Sequence, residues 1–527
     1  MAGEPETAGA AEPTAGGTGT AGEAGRVLAG VHLLAYTDRL GGDLAGMRRL
    51  LTTGPLDRFS GVHLLPFFTP FDGDDAGFDP VDHGTVDPRL GTWADVRALA
   101  DDGLVLTADL IVNHVSARSR EFTDWLAHGT ASPWDGMFLT YDRVFPHGGT
   151  EADITRIYRP RGGLPFTPYQ QADGTRRLVW TTFLPSQVDL DVDHPVAREY
   201  LRRIMRTLAA AGVRIVRLDA VGYAVKTPGT DSFVTPETLR FVREAVAMAH
   251  EEGLVVLVEV HAHVSQQQAV AELVDLVYDF ALPPLLLHAM GTGRIGPLVE
   301  WLEVRPRNTI TVLDTHDGIG VVDAGPGAGR PGLLDEEEMA ALFAGAAELT
   351  GGASDRMSQR VAWTRVPHQI ASTFLSVLGG DATALVLARA VQLFLPGLPQ
   401  VYYVGLLGGL NDVPQYERTG QGREANRHRY TAEELRDALT TEVARAQLAL
   451  VALRTEHPAF AGEHSVEVLD EHRIVLHWTA GEHRVRLIAD FTPGRRQLRV
   501  AATTPEGTVE ATSVAELAAW DAVAAWR

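Results

Sequence analysis

The stretch VRIVRLDAVGYAVKTPGTDSFVTPETLRFVREAVAMAHEEGLVVLVEVH, residues 213–261, holds two short apolar runs separated by a helix-like segment. VRIVRLDA (213–220) and LVVLVEV (254–260) are rich in Val, Ile and Leu without alternation, as strands buried on both faces are. Between them PETLRFVREAVAMAHEEG starts on Thr-Pro and ends on Gly, the start and stop signals of a helix. Strand, crossover helix and strand make one parallel βαβ unit.

Working outward, the same kind of run recurs at VHLLAY (31–36), GVHLLPF (61–67), LVLTADLIV (104–112), LVDLVYDF (273–280), ITVLD (310–314) and LPQVYYVG (398–405). Helix-like segments such as TWADVRALADDG and PVAREYLRRIMRTLAAAG lie between most of them. Eight strand and helix alternations predict an α/β protein, a (β/α)8 TIM barrel built from 26–114, 194–318 and 381–459. Two intervals are too long for one crossover and predict inserted subdomains on the catalytic face, at 115–193 and at 319–380, the second Gly-rich and irregular. From 460 to 527 the pattern turns to short alternating strands (SVEVLDEHRIVLHWT, RVRLIADFT, RQLRVAATT), which predicts a C-terminal antiparallel β-domain. Residues 1–25, almost all Ala, Gly, Glu, Thr and Pro, read as a disordered tail and not as a signal peptide.

Composition narrows the function classes. The 527 residues, 45% hydrophobic and 22% charged, are globular values and exclude a disordered, collagenous or coiled-coil chain. With no cysteine there is no disulfide, thiolate nucleophile or cysteine-bound metal, and nothing argues for an oxidising compartment. A net charge of -22 repels nucleic acid and anionic membranes, so an anionic ligand needs a local basic pocket. The most apolar stretch, 387–410, is interrupted by Arg389, Gln392, Pro396, Pro399 and Gln400, too polar and kinked to span a bilayer. A cytoplasmic enzyme acting on small molecules, as monomer or homodimer, is the expectation. Among 46 basic residues one is lysine, Lys226, read either as chance or as an anchor for the loop after residue 219.

The polar residues in the strands point to chemistry. A side-chain period of two sets Arg217 and Asp219 on one face at the end of VRIVRLDA, and Glu259 and His261 on one face at the end of LVVLVEVH. Thr315-His316-Asp317-Gly318 follows ITVLD, and DLIVNH (109–114) adds Asp109 and His114. Any one acid is accounted for as an ion-paired carboxylate at a strand end, and Asp109 as a residue that orients its neighbours. Three acids at the C-terminal ends of three barrel strands stand where barrel active sites are built, and unpaired charge in apolar strands costs several kcal/mol.

In this order and spacing DLIVNH, RLDA, VEVH and LDTHDG resemble the four motifs of the α-amylase family, glycoside hydrolase family 13. FTPFDGDDAGFDPVDHGTVDPRLG, IYRPRGGLPFTP, RLDAVGYAVKTPGT, YDFALPPLLLHA and FLPGLPQVYYVGLLGG resemble its sucrose phosphorylase subfamily, over about residues 27 to 460. The resemblance implies a retaining double displacement that passes glucosyl to inorganic phosphate: Asp219 as nucleophile, Glu259 as acid and base, Asp317 as transition-state stabiliser. Retention places the first two carboxyls about 5–5.5 Å apart. It also implies that Asp75, Phe78, His114, Arg217, His316 and Arg423 (in QGREANRH) grip one glucosyl unit, with an Asp75–Arg423 pair closing the pocket. Arg161 matches a phosphate-contacting arginine of the family. Arg159 and His261 join it as phosphate candidates, and Gln187 and Phe183 line the acceptor side; apart from the family match, Arg159 and Arg161 read as a surface loop and Phe78 as core. No cofactor and no metal is implied, although Asn113 lies where some amylases bind calcium.

The chain departs from the subfamily at Thr364-Arg365-Val366-Pro367-His368-Gln369-Ile370-Ala371, where typical members read close to NLDLYQVN. An acid and a tyrosine give way to Val366 and His368, with Arg365 beside them, and His263-Val264 stands where the usual pattern is SYY. The acceptor side gains positive character, which implies an anionic leaving group such as fructose 6-phosphate, from sucrose 6F-phosphate, or glycerate, against loop drift as the alternative. A plain α-glucoside hydrolase or transglucosidase with the same three acids, and a non-catalytic binding protein, are the competing classes. Water at about 55 M competes with millimolar phosphate, so phosphate must be favoured by about 5–6 kcal/mol to match it.

Overall fold

The computed structural model describes residues 29–160, 162–327, 329–358 and 367–520. Eight parallel strands close a barrel: β1 (His32–Ala35), β2 (Gly61–Leu64), β3 (Val105–Ile111), β4 (Val213–Asp219), β5 (Val255–Val258), β6 (Leu276–Asp279), β7 (Thr309–Thr311) and β8 (Leu398–Tyr402). Neighbours in the chain are neighbours in the barrel, and β8 pairs with β1 to close it. Each run read as a strand in the sequence contains one of them, almost every residue buried, because helices cover the outside and side chains fill the inside.

The helices between strands start and stop where their caps dictate. Pro195–Ala210 opens on His194, whose ring accepts from the Val196 N–H, and Pro236–Glu251 opens on Thr235, whose hydroxyl accepts from Thr238. Each is followed by a glycine with positive φ, Gly212 at 87° and Gly253 at 73°, which turns the chain into the next strand.

The long crossover after β3 folds on its own small core of Leu139, Val144, Phe145 and Trp180. It returns to the barrel through strand Gln187–Asp189, antiparallel to His114–Ser116. The crossover after β7 is more regular than its glycines led us to expect. Asp335 caps Glu337 and Glu338 and opens a helix, Glu336–Leu349, and strand Ile319–Gly320 pairs with Gln369–Ile370. Past the barrel, β9 (Glu463–Val468), β10 (Arg473–Ala480), β11 (His483–Asp490), β12 (Gln497–Thr504) and β13 (Gly507–Ala511) form an antiparallel sheet in sequence order. It docks on the barrel where Trp478 Nε1 donates to the Phe394 carbonyl. Among the described residues no helix is long and apolar enough to cross a membrane; the apolar stretch at 387–410 is divided between helix Ala382–Phe394 and β8.

Candidate active site

The strand ends bring the expected residues together. A narrow inner pocket of about 90 Å³ is lined by Asp75, Phe78, His114, Asp219, Glu259 and Asp317, among others. It opens into an outer chamber of about 730 Å³, and Asp75, Asp317, His368, Gln369 and Arg423 border both.

Arg217 is the centre of the floor. Its guanidinium, 2% exposed, reaches three carboxylates from three successive strand ends. Nη1 donates to Asp109 and, at 2.9 Å, to Asp219; Nη2 lies 3.2 Å from Glu259. The side-chain period sets Arg217 beside Asp219, and the structure divides the cation among three carboxyls. Burial, with Glu259 and Asp109 adding to it, pushes the Asp219 carboxyl above its usual range against the pull of Arg217. For Asp109 burial is outweighed by Arg217 and by His63 Nε2 at 3.1 Å, and its carboxyl sits at about 2. One cation among three buried carboxyls makes a cluster that favours holding a proton. The residue after Asp219, Ala220, has φ 53°, which turns its N–H to within 3.3 Å of Glu259 Oε2.

Asp317 is the firm anion of the site. Burial opposes its charge, but Arg423, Arg427 and Arg217 hold the carboxyl far below its usual range. Arg423 Nη1 lies 2.9 Å from Asp317 and only 3.9 Å from Asp75, so the expected Asp75–Arg423 closure is the weaker of its two contacts. Arg427, four residues on and buried, donates to the His316 carbonyl at 2.8 Å and to Asp317 at 3.5 Å. His316 stacks on Phe78 at 4.8 Å, with planes 7° apart, so Phe78 is a platform in the pocket and not only core. Burial and the arginines keep the His316 imidazole neutral, and its Nδ1 has no protein partner. His114 Nε2 meets the Phe78 carbonyl at 2.9 Å.

On the acceptor side the structure corrects three expectations. Gln187 is fully buried, with its amide 3.1 Å from His114 and 3.5 Å from Asp75; it braces the glucose side instead of lining the opening. Arg159 is 6% exposed and donates to the carbonyls of Thr182 at 3.0 Å, Phe183 at 3.1 Å and Gly163 at 3.3 Å, a brace across the insertion and neither a surface loop nor an open phosphate contact. His368 is half-buried and uncharged: desolvation first, and His261 second, bring it down to about 4, so it adds hydrogen-bonding capacity without positive charge. Its Nδ1 faces the Tyr158 hydroxyl at 3.2 Å. Arg161, Arg365 and Val366 lie outside the described residues. Phe183, expected on the acceptor side, lines the inner pocket 5.2 Å from His114. His261 lies beside Glu259, 3.7 Å from its carboxylate; burial opposes its charge, but Asp323, then Glu259 and Asp317, raise its pKa above that of ordinary imidazole. Gln369 places its amide 2.9 Å from His261 Nε2.

Lys226 proves to be an anchor. Its ammonium sits 2.8 Å from Asn113 Oδ1 and 2.7 Å from Asp189, tying the loop after Asp219 to the end of β3 and to the insertion. The space beside Asn113 thus holds an amine.

The sequence reading missed Tyr158, Tyr223 and Phe233, an aromatic cluster with ring centroids 4.7 to 6.1 Å apart, of which Tyr223 and Phe233 line the inner pocket. It also missed Arg427 and Asp323. Spacing offered a signal for Arg427, which stands in QGREANRH beside Arg423; the others are loop residues with no periodic pattern.

Residues 24–285 match the family model of the α-amylase catalytic domain. A sucrose phosphorylase of Agrobacterium vitis is 45% identical over 467 residues, covering 88% of this chain and 96% of that protein. The chain belongs to the α-amylase family, in its sucrose phosphorylase subfamily. Another member, a sucrose 6(F)-phosphate phosphorylase of Thermoanaerobacterium thermosaccharolyticum, is 38% identical and covers 88% of this chain and 94% of its own. A crystal structure of sucrose 6F-phosphate phosphorylase from Thermoanaerobacter thermosaccharolyticum superposes on this subfamily member with a TM-score of 0.84 at 35% identity, covering 92% of this chain and 97% of that one.

Proposed function

We propose that the protein is a retaining α-glucoside phosphorylase, with Asp219 as nucleophile, Glu259 as acid and base, and Asp317 as the stabiliser of the oxocarbenium-like transition state. The observation that supports this most is the single guanidinium of Arg217 reaching both Asp219 and Glu259. Sharing one planar cation keeps the two carboxyls close, as the about 5–5.5 Å of a retaining pair requires, rather than the wider gap of an inverting pair.

In the first step an Asp219 oxygen attacks the anomeric carbon while Glu259 gives its proton to the leaving oxygen, and the carbon–oxygen bond to the leaving group breaks. Asp317, ionised by Arg423 and Arg427, faces the positive charge that develops on the sugar ring. In the second step a phosphate oxygen attacks the same carbon and the electron pair of the ester bond returns to Asp219. The product is α-glucose 1-phosphate. Hydrogen phosphate enters with its own negative charge and needs no base, whereas water must lose a proton to Glu259. His261, charged and next to Glu259, favours the anion. Arg161 is proposed from the resemblance, and Arg365 from the departure at 364–371, as further cations of the acceptor side.

For the donor we propose sucrose 6F-phosphate, because Val366 and His368 replace the acid and the tyrosine usual in the subfamily. A neutral donor, sucrose itself, is the second reading: His368 is uncharged, and the Agrobacterium vitis sucrose phosphorylase, at 45%, is more similar than the sucrose 6(F)-phosphate phosphorylase at 38%.

Phosphate with each donor, followed by proton NMR and by kcat/KM, tests these readings. The α anomer of glucose 1-phosphate is expected, with sucrose 6F-phosphate preferred about 10-fold or more through charge-assisted contacts to its phosphate. A preference for sucrose replaces the first donor with the second. Release of glucose with no glucose 1-phosphate makes the protein a hydrolase, and a β anomer means a single inversion.

A further inference from the structure

Asp323 is a fully buried carboxylate that the mechanism above does not use. It sits in the short 3-10 turn Val322–Ala324 of the crossover after β7, yet its contacts belong to the segment after β5. Its Oδ1 accepts from the Ala262 N–H at 3.0 Å and from the Gln267 amide, and its Oδ2 lies 3.2 Å from His261 Nδ1. The His261 ring is clamped as well. It stacks on Phe280 with centroids 3.9 Å apart, and Gly320 lies so near that a Cβ there would stand 2.8 Å from His261 Cε1. With Nδ1 on Asp323, the other nitrogen, Nε2, faces Gln369 at 2.9 Å and Glu259 at 3.7 Å.

We propose that Asp323 is a positioning residue that fixes His261 with Nδ1–H on the carboxylate and Nε2 toward the acceptor, and thereby sets how strongly phosphate is favoured over water. The inference rests on the phosphorylase reading and names the device behind its selectivity.

The carboxylate acts in two ways. It fixes the ring's orientation, since a hydrogen bond from Nδ1–H to Asp323 leaves Nε2 to face the acceptor side. It also supplies the charge that His261 needs. The titratable and charged groups around the ring are Asp323, Glu259 and Asp317, which favour its protonation, with His368 edge-on at 5.3 Å. Arg423, 3.5 Å from Gln369, and Tyr158, hydrogen-bonded to His368, complete the shell. Of the three carboxylates Asp323 gives the largest share after the opposing effect of burial. Because phosphate is an anion and water is neutral, the charge of His261 bears on the partition of the glucosyl-enzyme whichever donor formed it.

The test is the ratio of glucose 1-phosphate to glucose released by the full-length protein, at fixed phosphate, from about pH 5 to 8, where histidine titrates. Asp323→Asn is expected to lower the ratio severalfold at neutral pH and by up to about tenfold on the basic side, the limit that a fall of one unit in the His261 pKa allows. The ratio should recover on acidification, its basic limb displaced by about one pH unit; the titration of phosphate itself is common to both proteins and cancels. His261→Gln should lose the ratio too, and adding Asp323→Asn to it should cost less than about twofold more, as two residues acting as a unit do. An unchanged ratio and limb in Asp323→Asn, or its full loss recurring in the His261→Gln background, overturns the inference. Should Asp323→Asn not fold, the wild type with azide, an acceptor that stays anionic across the neutral range, decides: the yield of glucosyl azide over glucose falls as His261 loses its proton, and a flat yield overturns it. A wild type that releases only glucose overturns the phosphorylase reading and this one with it, whereas a wild type that makes glucose 1-phosphate beside an unaltered Asp323→Asn overturns this one alone.

Discussion

Asp219→Asn loses turnover by about 10⁴- to 10⁶-fold, the range for removing a nucleophile, while its unfolding midpoint at neutral pH stays level or rises. The amide has the shape of the carboxylate, and its oxygen can still accept from Arg217 Nη1, now 2.9 Å from Asp219. It cannot form the glucosyl ester. The direction of the stability change follows from the charge on the floor. Burial, with Glu259 and Asp109, raises the Asp219 carboxyl above its unfolded value. A carboxyl raised on folding stabilises the fold while protonated and withdraws that contribution as pH climbs past its unfolded pKa, about 3.9. At pH 7 the Asp219 carboxyl is therefore a cost to the fold, whether the folded state holds its proton or not, and the neutral amide removes it. Rates with each donor, alongside thermal unfolding followed by circular dichroism, check both halves. A near-normal rate, with contaminating wild type excluded, would mean another group attacks; a clear drop in the midpoint would mean Asp219 is held in the fold by Arg217 more than it is repelled by its neighbours.

The same residues show how far the sequence could be read. The barrel was legible because its signal is local: each run of Val, Ile and Leu is long enough for one strand, and Pro195, Thr235 and Gly253 mark the helix ends. The acids were legible because a period of two puts Asp219 beside Arg217, and because Glu259 and Asp317 end other strands. That Arg217 also meets Asp109 and Glu259 was not legible, since these come from β3 and from the end of β5, which only pairing with β4 brings beside it. Long-range partners also explain the errors. Nothing within YRPRGG distinguishes an arginine that binds phosphate from one whose guanidinium turns back onto the carbonyls of Thr182 and Phe183, and that is what Arg159 does. Asp323 was invisible for the same reason: its partners, Ala262, Gln267 and His261, lie about sixty residues earlier in the chain. The regularity of the crossover after β7 was masked by its glycines, although Asp335 and Glu338 form a capping box that announces the helix.

Arg217→Met removes the one cation that Asp109, Asp219 and Glu259 share, and it tests the floor as a unit. Breaking a buried ion pair from one side costs about 3–5 kcal/mol, because the remaining charge stays buried without compensation; here three carboxyls lose the same partner. Activity should fall at least about 10³-fold, since neither nucleophile nor acid keeps its geometry or its charge. The pH dependence separates this account from a mere loss of packing. In the wild type Asp109 is depressed to about 2 on folding, so it contributes stability above its unfolded pKa that is lost only as pH falls toward 2. Arg217 is the largest of the effects that lower it; without that cation, burial dominates and the carboxyl moves up. Its contribution then reverses, present in acid and lost as pH rises. The stability deficit of Arg217→Met should accordingly be large at neutral pH and should shrink as the pH approaches about 4, where the freed carboxyls take up protons. Midpoints of chemical unfolding for both proteins across that range give the comparison. A deficit of the same size at both ends would assign the loss to the Arg217 side chain's packing against Phe78, 5.5 Å from its guanidinium, and would leave the shared charge without a part in holding the strand ends together.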